Sequence, residues 1–550
     1  MSDRTPTPID AIAEGWLDTY LEHVPEERVY LGRSGREGEY ADHSPAGADA
    51  LIADARKALS AITAATPVDD VDRVTKLDLG RDLELSIAKH EAGFGQRDLN
   101  VLASPAQGLR EIFDLVPTAT EEDWQHVATR LENLPTAMEG YKESLRSGIA
   151  AGNVPAIRQV EENITQAAKH AAADGFFATF AAQGAADHAG LQARLEAGAR
   201  ASAEAYAGFV EFLRTELAPH APEQDAVGRD IYALASQGFL GAVVDLDETY
   251  EWGIEELARM TEEQEAIARE ILPGASVQEA IAHLDADPAL KLHGTKALQE
   301  WMQETSDRAI EELGRTHFDI APEIRALECM IAPTQEGGIY YTPPTDDFSR
   351  AGRMWWSVPE GITEFDTWRE LTTVYHEGVP GHHLQLGQAV YNKAQLNAWR
   401  RIAGTSGHAE GWALYAERLM DELGYLQTPA DRLGMLDGQR MRAARVVLDI
   451  GVHLQKRMPG SQEIWTGEAA FPFLRANVNM NDQFVRFEVN RYLGWPGQAP
   501  SYKVGQRIWE QLRDEYARRE GAAFDVKAFH KKALDIGGVG LDTLKTAMLD

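Results

Sequence analysis

Apolar residues recur three and four positions apart, with charged residues between them, through most of the first two thirds of the chain. That spacing gives an amphipathic helix one buried stripe, so EERVYLGR, TKLDLGRDLELSIAKHEAG and TEEDWQHVATRLENLPTAMEGYKESLRSGIAAG are each expected to be helical. Thr120 followed by Glu121, Glu122 and Asp123 is a helix start: a hydroxyl cap, then acids in the first turn. Pro135 is expected to break or kink that helix after Leu134. The alanine-rich run from Pro155 to Ala218 continues the pattern, as does Tyr232 to His317, where MTEEQEAIAREIL is acid-rich. Lone Cys329, in LECMIA, is expected in an apolar helical setting as an inert packing residue. Between these runs, APHAPEQDAVG (218–228) is a candidate hinge, giving an N-terminal helical lobe over 1–217 and a second lobe over 218–550. The character changes at Gly337. Two short aromatic runs, Ile339–Tyr341 and Met354–Trp356, flank a stretch rich in Pro, Asp, Ser and Gly, the pattern of a strand, loop and strand. The fold expected is mainly α with one small β-hairpin.

With 44% apolar and 25% charged residues, the 550-residue chain can bury a sizeable core. No apolar stretch approaches the ~18 residues of a membrane span. The opening residues carry no basic segment followed by an apolar one, so a cytoplasmic address is expected. A single cysteine excludes an intrachain disulfide and a thiolate metal cluster. Acids outnumber bases 87 to 53, a net charge of −34, which disfavours nucleic acid and anionic lipid as partners.

Chemistry concentrates at Tyr375-His376-Glu377-Gly378-Val379-Pro380-Gly381-His382-His383. A histidine followed at once by glutamate, with another histidine about a turn later, is the arrangement in which two imidazoles hold zinc and the glutamate takes a proton from water. The usual second position is +4; here it is +6 or +7. In an unbroken helix +6 points roughly 240° away from the first histidine, and +7 lies about 10 Å along the axis. Pro380 and Gly381 relax that constraint, because they permit a bulge that brings His382 to the +4 direction. His382 is therefore favoured, with His383 the alternative.

A third ligand is expected from the helix in TSGHAEGWALYAERLMDELG. Glu410, beside apolar neighbours, needs a cation or hydrogen-bond donors. His408 is the alternative there, and Glu417, two turns on, suits support of a ligating histidine. Arg445, Asp449 and His453 share one helix face as either an ion-pair ladder or, through Arg445 or His453, a substrate or oxyanion contact. Tyr502 is a candidate donor to a tetrahedral intermediate. Tyr340, Tyr341 and Trp355 could line a cleft wall along which an extended peptide lies, or pack in the core.

HEGVPGHHLQ followed by EGWALYAE resembles the domain-of-unknown-function 885 (DUF885) family, itself similar to gluzincin metallopeptidases. LVPTATEEDWQHVATRLENLP, GRDIY, RAARVVLDIGVH and SYKVGQRI extend the resemblance over most of the chain. It implies a large, mainly helical, gluzincin-like fold around a deep central cleft. It also implies one Zn2+ per chain, hydrolysis of a peptide or amide bond, and His382 as the second ligand. A peptidase of short peptides, acting through Glu377 with His376, His382 and Glu410 on the metal, is the expectation. An amidase of a small metabolite and an inactive peptide- or metal-binding scaffold are the rivals.

Overall fold

The computed structural model describes residues 4–333 and 338–550. Helices account for most of it. The N-terminal part comprises α1 (Pro8–His23), α2 (Glu26–Tyr30), α3 (Pro45–Ala64), α4 (Asp70–Glu91), α5 (Pro105–Glu111), α6 (Glu121–Ala151), α7 (Ile157–His170), α8 (Phe176–Asp187) and α9 (Gln192–Phe212). There follow α10 (Arg229–Leu240), α11 (Leu246–Ile271), α12 (Val277–Asp285) and α13 (Thr295–Thr316). After the strands come α14 (Thr367–Glu377), α15 (His382–Tyr391), α16 (Ala398–Ile402), α17 (Ser406–Glu422), α18 (Pro429–His453), α19 (Gly467–Asn477), α20 (Asp482–Gly494), α21 (Ser501–Glu520), α22 (Val526–Asp535) and α23 (Leu541–Leu549).

The expected start of α6 is present: the Thr120 side chain accepts from the Asp123 amide while the Asp123 carboxylate accepts from the Thr120 amide. Of the break or kink expected at Pro135, the break does not occur. The proline removes one backbone donor, but α6 continues because the buried Leu131, Leu134, Met138 and Tyr141 hold both halves in one core. Cys329 is likewise corrected. It lies in a strand, not a helix, with its thiol buried beside Ser306.

The strands are β1 (Lys291–His293), β2 (Leu327–Ile331), β3 (Ile339–Thr342), β4 (Gly352–Trp356) and β5 (Glu364–Asp366). β3 and β4 form the expected antiparallel hairpin, pairing Tyr340 with Trp355, and β2 joins β4 in parallel. β1 and β5 make a separate antiparallel pair. Gly337, where the aromatic character begins, lies outside the described residues.

Buried apolar side chains gather in three clusters. One joins α1, α3 and α4, with Trp399 of α16. A second fills the space among α5 to α9. The largest runs from Tyr232 to Met548, and the fully buried Trp368, Trp412 and Trp509 lie in it. It carries α14, α15, α17, α18 and α21, the helices that bear the histidines and acids of interest. No helix among the described residues is long and apolar enough to cross a membrane.

Candidate metal centre

The His-Glu motif occupies two helices rather than the single bulged helix expected. α14 ends at Glu377, the chain turns through Gly378–Gly381, and α15 begins at His382. The Val379–Pro380 bond is cis. Only glycine fits at 381: a Cβ there would stand 1.8 Å from the His376 carbonyl oxygen. Trp412 of α17 donates from its indole nitrogen to the Pro380 carbonyl at 2.8 Å and so holds the turn from below. The outcome is that the rings of His376 and His382 face each other, 4.9 Å between centroids and nearly perpendicular.

Glu410 comes from α17, which packs against α21 through a seam of glycines. A Cβ on Gly411 would lie 2.5 Å from the Gly505 backbone, and one on Gly505 would lie 2.3 Å from the Gly407 carbonyl oxygen. This close approach sets Glu410 and the start of α21 on the same wall. Glu410 Oε2 lies 3.4 Å from His376 Nε2 and 3.8 Å from His382 Nε2. One donor atom from each of the three residues falls within 4.8 Å of the others, the one such group of three among the described residues.

Two tests of fit to a metal ion agree. Nitrogen and oxygen ligands about 2 Å from a tetrahedral zinc lie roughly 3.3 Å apart, close to the Glu410 spacings. The Glu410 Oε2 atom is buried without a hydrogen-bond partner, as a ligand atom would be before it meets its ion. The local field also favours positive charge. Burial opposes a charged His376, but Glu410 and Glu417 outweigh it and hold its pKa well above the ordinary histidine range. Burial likewise opposes the Glu410 carboxylate, and the two histidines reverse the effect, lowering it well below the usual range.

Behind His376 stands a buried polar chain. The Glu417 carboxylate accepts from His376 Nδ1 at 2.7 Å, fixing the tautomer that leaves Nε2 free to bind a metal. Gln439 Nε2 donates to the other Glu417 oxygen at 3.2 Å. Lys503, itself 2% exposed, donates to Gln439 Oε1 at 2.8 Å and pairs with Glu256 at 3.0 Å. Burial lowers the Lys503 pKa and Glu256 resists the shift. The sequence reading missed Gln439, Lys503, Trp412 and the three seam glycines. Gly411 and Trp412 stand in EGWALYAE, and Lys503 and Gly505 in SYKVGQRI, but only their tertiary partners reveal what they do.

The other predicted residues divide. Glu377, last in α14, is buried next to His376. Tyr502 sits at the start of α21; burial and then the Glu410 charge raise its phenol pKa, so it stays a hydrogen-bond donor. His383 is not available as a ligand. Tyr341 Oη lies 2.8 Å from its Nδ1 and the Ile324 carbonyl 2.6 Å from its Nε2, so both nitrogens are occupied. Gly352 permits that closure, since a Cβ there would lie 2.2 Å from Tyr341 Oη. His408 also stays outside the triad, packed on Trp509, with burial pushing its pKa down to about 4. Tyr340, 42% exposed, stacks on Trp355 with centroids 6.2 Å apart, while the Tyr341 hydroxyl is engaged by His383.

The readings of Arg445 and His453 as cleft groups are corrected. Arg445 donates to Tyr492 Oη at 2.6 Å and to Glu488 at 2.8 Å. His453 is wholly buried, with Nε2 3.0 Å from the Tyr492 carbonyl, and Asp449 between them accepts from Tyr232 and from the Gly497 amide. The stripe braces α18 against α10 and α20. Arg445 retains one link to the site, its guanidinium carbon 5.2 Å from the Tyr502 ring centre.

The fold has solved counterparts. A "putative lipoprotein" from Colwellia psychrerythraea is 21% identical, with 98% of each chain covered and a TM-score of 0.83. A "putative lipoprotein of unknown function" from Shewanella oneidensis is 17% identical, with 99% of this chain and all of that one covered and a TM-score of 0.77. A carboxypeptidase from Pyrococcus furiosus aligns over 99% of this chain and 96% of its own at 12% identity, but with a TM-score of 0.43 its likeness decides nothing about chemistry. No curated protein matches the sequence. The cytoplasmic address expected from the sequence is corrected: these two structures, which match this fold end to end, are described as lipoproteins, so the fold does not imply that compartment. The sequence itself matches the DUF885 family, bacterial proteins of unknown function, over residues 25–548. The chain belongs to that family.

Proposed function

We propose that the protein is a zinc-dependent peptidase of short peptides, with one ion held by His376, His382 and Glu410. The observation that carries this reading is the meeting of three metal-binding side chains, one with a buried unpaired oxygen, immediately beside Glu377. When bound, zinc supplies Lewis acidity, making water a better acid and a carbonyl a better electrophile. The rest falls to the chain itself. Glu377 takes a proton from the attacking water and returns it to the leaving nitrogen as the C–N bond breaks, giving a carboxylate and an amine. Tyr502 donates a hydrogen bond to the carbonyl oxygen as negative charge grows on it. Glu417 holds the His376 ring in register throughout.

The test has two stages. Mass spectrometry of the native protein after zinc loading should find about one zinc per chain in wild type and none in His376→Ala or Glu410→Ala. Glu377→Gln should keep the metal and lose peptide hydrolysis by on the order of 10³-fold or more. Wild type without stoichiometric metal would leave a binding scaffold as the better account. Near-normal hydrolysis by Glu377→Gln would remove that residue as the base.

A further inference from the structure

On α18, Gly438, Arg442, Arg445 and Asp449 follow at steps of four, three and four residues, so they share one stripe of the helix. At one end the stripe adjoins Gln439, which touches Glu417 behind His376. At the other, Arg445 lies against the ring of Tyr502. Arg442 stands between them, flanked by the metal triad's support and the proposed oxyanion donor. Its charge is felt by both Glu417 and Tyr502.

The two arginines on this stripe differ in their bonding. Arg445 is held by Tyr492 and Glu488. Arg442 has no carboxylate partner among the described residues, and its Nε is buried without a hydrogen bond. Other half-buried arginines without an ion pair, such as Arg81, Arg97 and Arg440, donate hydrogen bonds to side chains, whereas the Arg442 guanidinium has none among the described residues. A Cβ on Gly438 would lie 2.5 Å from Arg442 Nη1, so glycine at that position lets the guanidinium lie back along the helix. A planar fork of donors at such a place matches a carboxylate in geometry and charge.

We propose that Arg442 binds a carboxylate of the substrate, so that the peptides accepted carry a free carboxylate close to the scissile bond, as a C-terminal residue does. This rests on the peptidase reading for what is done to the ligand, but not for the binding itself. Arg442, missed by the sequence reading in favour of Arg445, becomes the group that selects the substrate.

The test uses the full-length, zinc-loaded Glu377→Gln protein, which should bind without turnover. It is incubated with an equimolar mixture of two N-acetyl dipeptide libraries, one with free C-terminal carboxylates and one with C-terminal amides, and the retained peptides are counted by mass spectrometry. Free acids are expected to be retained about 10- to 100-fold over amides. Adding Arg442→Ala should bring that ratio close to 1. Arg442→Lys, which keeps the charge but not the fork, should give an intermediate ratio. Circular dichroism melts and zinc content show that each variant is folded and loaded. Equal retention of acids and amides, retention of neither, or a ratio unmoved by Arg442→Ala would each overturn the proposal. Because retention is read without hydrolysis, that failure is distinct from a failure of the peptidase reading, which the metal content and the Glu377 comparison decide.

Discussion

Two clusters in this molecule each set histidine against a carboxylate and differ in what their atoms do. In the triad at α14, α15 and α17, ring nitrogens and a carboxylate oxygen point at one another, and Glu410 Oε2 makes no hydrogen bond. In the stripe on α18, Arg445, Asp449 and His453 point at partners on neighbouring helices. Two atoms there also lack partners, His453 Nδ1 and Asp449 Oδ2, but no third donor converges with them among the described residues. The fields differ accordingly. Burial drives His453 down to about 4 and Asp449 up to about 7, so both tend to neutrality near pH 7. At the triad, two carboxylates overcome burial and favour a positively charged His376. Residue type therefore does not identify a reactive cluster. What sets the triad apart is the convergence of two ring nitrogens on an unpaired carboxylate oxygen in a field that favours a cation.

The comparison can be broken most forcefully by exchanging the penalties. His382→Ala should abolish zinc retention, measured after dialysis, by on the order of 100-fold or more in affinity, while changing the melting temperature of the metal-free protein little. His453→Ala should do the reverse. It removes a wholly buried ring and its bond to the Tyr492 carbonyl, at a cost of about 2–4 kcal/mol read by urea unfolding, and leaves zinc binding intact. If His453→Ala lost the metal with its stability unchanged, the two clusters would not be separable in this way.

Much of the triad was legible because a motif is local. His376, Glu377 and Glu410 stand in short stretches whose residue types have one chemistry in common. His382 could be preferred over His383 by helix geometry and by resemblance to the family, although the mechanism differs: a break between two helices and a tight glycine turn, not a bulge. The helical character of the chain was legible for the same reason, as periodicity is a property of neighbours in sequence. What was not legible depends on distant partners. Arg445, Asp449 and His453 sit at i, i+4 and i+8 whether their face meets a cleft or a helix, and only Tyr492, Glu488 and Tyr232 decide between the two. Cys329 reads as helix from its apolar neighbours, but pairing with β4 makes it a strand residue. Pro135 fails to stop α6 because the surrounding core holds the helix across the missing hydrogen bond.

A sharper form of the comparison asks how far the triad's support extends. Glu417→Gln keeps the shape but weakens the acceptor behind His376, and zinc affinity should fall by about 10- to 100-fold in a competitive chelator titration. Lys503→Met is one step further away. It removes the buried cation that Gln439 accepts from, while Glu256 keeps its pair with Arg259, so a stability loss of about 1–3 kcal/mol is expected, with a smaller change in zinc affinity than Glu417→Gln produces. An affinity loss for Lys503→Met as large as that for Glu417→Gln would mean that the polar chain positions the metal site as one unit, not chiefly through its first link.

The smallest effect tests the neutrality assigned to the α18 stripe. Asp449 is buried, with one oxygen accepting from Tyr232 and Gly497 and the other unpaired, and burial raises its pKa to about 7 against an ordinary value of 3.8. A carboxyl whose folded pKa is raised binds its proton more tightly in the native state. Its contribution is therefore full below the unfolded value of about 3.8 and is lost progressively as pH rises from there through about 7. Asp449→Asn keeps an oxygen for Tyr232 and Gly497 but cannot ionise. The difference in unfolding free energy between variant and wild type should accordingly move in the variant's favour between pH 6 and pH 8, by about 1 kcal/mol. His453, lowered from 6.5 to about 4, adds its own pH dependence below about 6.5, but it is present in both proteins and cancels in their difference. A difference that stays flat over that range would mean Asp449 is ionised in the native stripe. The contrast with the metal triad would then rest on convergence alone, because both clusters would hold charge.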